Sequence, residues 1–218
     1  MATKCLAMGL DWNPGPKAKP GGEAEFEKLW RKLHSKWCWR RAAKVRRFGE
    51  VTLTAFDTLG VPAVGADAAA TEWARQQAVH RVDKSLTEEQ FVRGMNGFRA
   101  LALVPPCDGL PRYTNGSPGG YVEAYAFRGQ FLKDCTAIIG PELLNAAWNS
   151  KAPADTVAYG RALLQRASAF ATAQHIDLAT VHLAEDPETD EFHLDVVQSA
   201  GRWCVFWGER GHWLEAYF

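Results

Sequence analysis

The sequence lacks the short signatures that announce the commoner chemistries. No GxGxxG follows a strand-like run, and there is no P-loop, GxSxG, HExxH, kinase or deaminase pattern. No cofactor is therefore expected. Cysteine is sparse: Cys5, Cys38, Cys107, Cys135 and Cys204 are odd in number, widely scattered and without a CxxC pair. That resembles neither a disulfide framework nor a zinc ribbon and points to reduced thiols in a cytoplasmic protein. No apolar run approaches the ~20 residues a membrane-spanning helix needs. The opening MATKCLAMGLDW is too short in apolar residues for a secretory signal.

Net charge is also missing, since 25 Lys/Arg balance 25 Asp/Glu. The zero is a sum of unlike parts. Residues 1–47 hold twelve Lys/Arg against four Asp/Glu, a balance of +8, and residues 48–218 carry the compensating −8. A basic nucleic-acid-binding domain would not be neutral overall, so nucleic acid is the less favoured partner. The segregation itself suggests attraction of something negative to the early segment.

What remains is ordinary globular composition, 47% apolar and 23% charged, in a length that suits one domain over 1–218. The expected fold class is mostly α, possibly α+β: a single helical domain with a few short strands. Residues 4–10 read as a strand, followed by a loop at Asp11-Trp12-Asn13-Pro14 and a Pro/Gly-rich stretch to Gly22. Phe26, Trp30, Leu33 and Trp37 share one face of a basic helix over about 23–47. VTLTAF (51–56) reads as a strand and 67–80 as an alanine-rich helix. Ser85 and Glu88 fit a capping box for a helix reaching Leu101.

A Pro/Gly-rich loop spans 105–120. A helical pattern from Val122 to Ile139 stops at Gly140, and Pro141 opens a short helix. Asp155 is placed to cap a helix running to about Gln174. Thr180–Leu183 reads as a strand, and 185–195 as an acidic turn with six carboxylates in eleven residues. At the end, Val196, Val197, Ala200, Trp203, Cys204 and Trp207 favour a helix over the rival hairpin WCVFW-GERG-HWLEAYF. Trp203 and Trp207 are expected in the core.

Loop 105–120 is the preferred site, because ordered loops of such length inside compact domains are often functional. Cys107, Asp108 and Tyr113 are its candidate catalytic residues; a thiol nucleophile there would need a histidine brought from elsewhere. Asp11, Trp12, Arg40, Arg41, Arg112, Tyr113 and Asn115 are candidate ligand-binding residues, offering charge, an aromatic face and amide hydrogen bonds. His182, His193 and Asp195 would make an open metal site if they converged, although their spacing matches no known motif. Two readings follow. One is an enzyme or binder of a small anionic or aromatic ligand, in a pocket rimmed by loops 11–22 and 105–120. The other is an interaction module of inhibitor, immunity or adaptor type, docking an acidic protein surface through the basic helix, or a partner through the acidic turn. A homodimer is compatible with either.

Overall fold

The computed structural model describes residues 9–33, 41–80, 83–105 and 126–218. The fold is mostly helical, with two small antiparallel sheets of two strands each. The sequence reads as one domain; the chain groups into two compact units, one of residues 1–52 with 106–218 and one of residues 53–105.

The larger unit is organised by two long helices, α7 (Pro153–Gln174) and α8 (Asp190–Glu209). Proline at its first position suits the start of α7, where no intrahelical bond is lost. Asp155 lies in the first turn rather than at the cap, which is Ala152. The helix ends where His175 turns left-handed, at φ 56°. Thr189 caps α8, its hydroxyl accepting from the Phe192 N–H at 3.3 Å. The expected acidic turn therefore ends at Thr189, and Asp190–Asp195 are helical.

The two helices run antiparallel and touch backbone to backbone. A Cβ on Gly160 would lie 2.7 Å from the Gly201 carbonyl, and one on Gly208 would lie 2.8 Å from the Pro153 carbonyl. Only hydrogen fits at these crossings. Trp203 and Trp207 are fully buried, as expected.

Around this pair, α6 (Thr136–Ala146) is broken at Gly140, φ 76°, so that Pro141 opens its second half. This is the punctuation read from the sequence. A 3-10 turn, Gly129–Lys133, precedes it where a continuous helix was expected. Thr180–Leu183 is likewise no strand: Val181–Leu183 is a 3-10 turn.

Of the strand expected over 4–10, residues 4–8 lie outside the described residues, and Gly9 and Leu10 are not in a strand. β1 is Asp11–Pro14, the stretch read as loop, and it pairs antiparallel with β4 (Leu214–Tyr217), with Trp12 opposite Ala216. The C-terminal helix reading holds to Glu209, while the strand of the rival hairpin also exists but has β1 as its partner. A second sheet joins β2 (Lys17–Ala18) to β3 (Thr52–Leu53). In the basic segment α1 (Glu23–Leu33) and α2 (Arg41–Val51) are described and residues 34–40 are not; Arg47 of α2 reaches back to Glu25 of α1, which one straight helix over 23–47 would not allow. Phe26, Leu29 and Val51 form their common core, with Trp30, Phe48 and Trp213 packed against it.

The smaller unit contains α3 (Ala55–Thr58), α4 (Ala68–Gln77) and α5 (Glu88–Gly94). The strand expected over 51–56 shrinks to Thr52–Leu53, because Thr54 and Asp57 close a capping box that starts α3. The box on α5 uses Thr87 and Gln90 instead of Ser85 and Glu88, and Ser85 donates to Asp83 instead, at 2.7 Å. Val64, Ala70, Ala74 and Ala100 form the core, with Trp73, Val92 and Met95 against it. Phe98 stacks on Trp73 at 5.8 Å but is half exposed.

Candidate functional site

Three stretches of the larger unit that are distant in sequence surround a cleft. The first is Gly9 to Asp11, at the start of β1. The second is Arg128 to Asp134, the 3-10 turn and its flanks. The third is Pro187 to Val196, the entrance to α8. The cleft has two adjoining parts. One, of about 380 Å³, is lined by Gly9, Asp11, Arg128, Gln130, Phe131 and Asp134. The other, of about 370 Å³, is lined by Phe131, Asp134, Pro187, Glu188, Phe192, His193 and Val196. Phe131 and Asp134 belong to both and form the divide.

Local chemistry fixes these walls. The Gln130 N–H donates to the Leu10 carbonyl at 3.0 Å, which docks the 3-10 turn onto the approach to β1. Phe127 and Trp12 exchange backbone hydrogen bonds of 2.7 and 3.0 Å on the same stretch. Gly9 lets the Gln130 side chain lie against the backbone: a Cβ there would stand 2.2 Å from Gln130 Oε1. Leu132 is fully buried and anchors the turn from below. Cys135 joins the second and third walls, its Sγ lying 3.4 Å from the Phe131 carbonyl and 3.6 Å from that of His193. Burial pushes this thiol well above its ordinary range, helped by the nearby Asp134 charge, so it is a structural link and no nucleophile.

Among its described lining residues the cleft carries more carboxylates than guanidinium groups. Arg128 Nε stands 3.4 Å from Asp11 Oδ1, so these two largely offset one another. Asp134 and Glu188 are exposed and form no ion pair among the described residues. Phe131 is half-buried and Phe192 buried, which gives the walls an apolar, aromatic component.

Beneath the cleft lies a dense aromatic core. Trp12 is fully buried; its indole N–H donates to the Ala147 carbonyl at 2.8 Å, and its ring packs against Phe127, Tyr159 and Trp203. It leaves no ring surface open to a ligand and is not among the described residues that line the cleft. The titratable groups of this core are held by backbone. Lys151 donates to the carbonyls of Ala146 and Asn149 and lies 4.3 Å above the Tyr159 ring, and burial lowers its pKa to about 8. The Tyr159 hydroxyl donates to Leu143 O at 2.9 Å and is pushed upward by burial. His212 Nδ1 lies 2.6 Å from Gly15 O, and burial lowers its pKa to about 4, so the ring is neutral near pH 7.

The sequence-stated candidates divide three ways. Asp11 lines the cleft. Arg41 starts α2, is exposed and is not among the lining residues. Arg40, Cys107, Asp108, Arg112, Tyr113 and Asn115, with nearly all of loop 105–120, lie outside the described residues. His193 lines the cleft, but His182 sits on an exposed 3-10 turn and Asp195 is buried in α8. Among the described residues no group of three His, Cys, Asp or Glu is placed to hold a metal ion. Nor is any described helix long and apolar enough to cross a membrane.

The basic hairpin is partly neutralised by its own acids. Arg47 makes a two-pronged contact with Glu25 at 2.7 and 2.8 Å and reaches Glu50 at 2.8 Å, while Arg31 pairs with Glu27. The Arg47 hydrogen bonds hold the Glu25 carboxyl below its ordinary range. Arg41 and Arg46 have no carboxylate within ion-pair distance among the described residues.

Sequence reasoning missed Arg128, Gln130, Phe131 and Asp134. The one available signal was Gly129, a helix-weakening residue inside an assumed helix. A Cβ on it would come within 3.0 Å of the Trp12 indole nitrogen. Compared with known protein families, with curated proteins and with solved structures, the chain matches none of them.

Proposed function

We propose that this protein binds a small molecule in the two-part cleft of its larger unit. One observation carries the reading: polar side chains from three stretches distant in sequence converge on one concavity, and two residues, Phe131 and Asp134, serve both of its parts. Concave sites with a few placed polar groups over apolar walls are the usual form of a ligand pocket. The combined space suits a metabolite-sized molecule. The immediate groups are suited to binding: the nearby thiol is inert, and the buried lysine and histidine are engaged with backbone carbonyls.

The test is a thermal-shift screen of small metabolites against the intact protein, followed by calorimetry. Gln130→Trp, which fills the first part of the cleft, should abolish the shift given by any hit while leaving the unliganded Tm within a few degrees. A hit that binds Gln130→Trp unchanged places the site elsewhere and overturns the proposal.

A second reading rests on Arg41 and Arg46 of α2, exposed cations without carboxylate partners among the described residues. They suit contact with an acidic protein surface. Charge reversal of both should leave folding intact and weaken capture of such a partner in a salt-dependent way.

A further inference from the structure

We infer that the ligand of this cleft is an organic cation, of the class of linear di- and triamines. The inference rests on the reading of the cleft as a binding site and adds the chemistry of what fills it.

Among the described lining residues there are three carboxylates, Asp11, Asp134 and Glu188, and one guanidinium, Arg128. Arg128 and Asp11 face each other at 3.4 Å and offset one another. Among the described residues Asp134 and Glu188 have no ion-pair partner, and they leave negative charge on a concave surface. A concavity focuses the field of its charges and raises the local concentration of the opposite sign. Among the described residues no Lys or Arg besides Arg128 lines the cleft.

The walls are also aromatic. Phe131 stands between the two parts of the cleft, and Phe192 lines the second. Aromatic faces attract ammonium groups and accommodate methylene stems. A hydrated inorganic cation uses neither property. An aliphatic amine uses both.

Asp134 lies at the divide, and Glu188 lies only in the second part. A chain with an ammonium at each end can meet both carboxylates while its methylenes cross Phe131. Phosphate or a dicarboxylate would have to approach Asp134 and Glu188 with like charge.

Calorimetry on the intact protein tests this with 1,3-diaminopropane, putrescine, cadaverine and spermidine, in low salt and at 150 mM salt. Inorganic phosphate and citrate are the anionic probes. At least one amine should bind, with affinity falling as salt is raised. Asp134→Asn should weaken it by roughly tenfold or more, and Glu188→Gln should weaken the diamines but not a monoamine of equal length. Asp186→Asn is the control, removing a neighbouring carboxylate that does not line the cleft, and should leave binding unchanged. Near-ultraviolet circular dichroism confirms that each variant is folded.

The inference is overturned if no amine binds, if Asp134→Asn and Asp186→Asn weaken binding equally, or if an anion is preferred. The two proposals fail separately. Should an anion or neutral metabolite bind in a way that Gln130→Trp abolishes, the cleft stands and the cationic class falls. If amines bind but ignore Gln130→Trp, Asp134→Asn and Glu188→Gln alike, the cleft falls as well.

Discussion

On α8, fourteen of twenty residues are buried; on α4 only Ala70 and Ala74 are, and on α5 none. The larger unit is therefore held by apolar burial and by backbone contact through glycine. The smaller unit relies on local devices: two capping boxes, the Asp67 cap and the Arg99–Asp57 pair at 2.8 Å. A small unit exposes much of its surface even when folded, and a core made chiefly of alanine adds little. The difference predicts unequal stability within one chain. Amides of α7 and α8 should exchange hydrogen far more slowly than those of α4 and α5.

Substitutions can break that ranking. Trp203→Ala, at a fully buried site, should cost ~3–5 kcal/mol in urea unfolding and bring the larger unit down to the level of the smaller. Gly201→Val should cost about 1–3 kcal/mol or more, since its Cβ meets Leu164 at 2.6 Å and the Gly160 carbonyl at 2.9 Å. In the smaller unit, Thr54→Ala, Asp67→Ala and Thr87→Ala should each cost ~1 kcal/mol. The caps stand in separate helices, so the triple variant should lose close to the sum and speed exchange in that unit alone.

Acid offers the finest test, because the two units respond over different ranges. His212 falls from 6.5 to about 4 on folding, chiefly through burial, with Lys17 and Arg210 adding to the effect and the Gly15 hydrogen bond opposing it. The unfolded chain thus binds the extra proton between these values. Its contribution is whole above pH 6.5 and is lost as pH drops towards 4. In the smaller unit, burial raises the Asp57 pKa, but hydrogen bonds from Thr54 and the Arg99 guanidinium outweigh this and hold it below 3.8. That stabilisation persists above 3.8 and fails only in stronger acid. Hydrogen exchange at pH 5 against pH 7 should show the larger unit loosening first, and His212→Gln should flatten that response.

Legibility in the sequence followed the length of each pattern. The α7 and α8 helices and the Gly140–Pro141 break could be read because periodicity or a strong breaker spans several turns. The strands assigned to 51–56 and 180–183 rested on a few residues each. Such short runs do not separate strand from turn, and at 51–56 the Thr54 side chain decided in favour of helix. Asp11 was found because a polar group beside a strand-like run is conspicuous, and it lies in β1 itself. The remaining described cleft residues were hidden because their meeting depends on tertiary contact. Trp12 bonds to Ala147, and Cys135 sits by His193, across separations no local window covers.

The pairing of β1 with β4 sets a timing problem for synthesis. Asp11 faces Tyr217, so the two strands of this sheet are made some two hundred positions apart. At ribosomal rates of ~5–20 residues per second, the first waits roughly 10–40 s for its partner. Throughout that interval the Trp12 indole and its hydrogen-bonding edge have no β4 to close over them. The nascent chain therefore carries a sticky, half-finished edge until translation reaches Leu214, and a chaperone that shields it would raise the yield of folded protein.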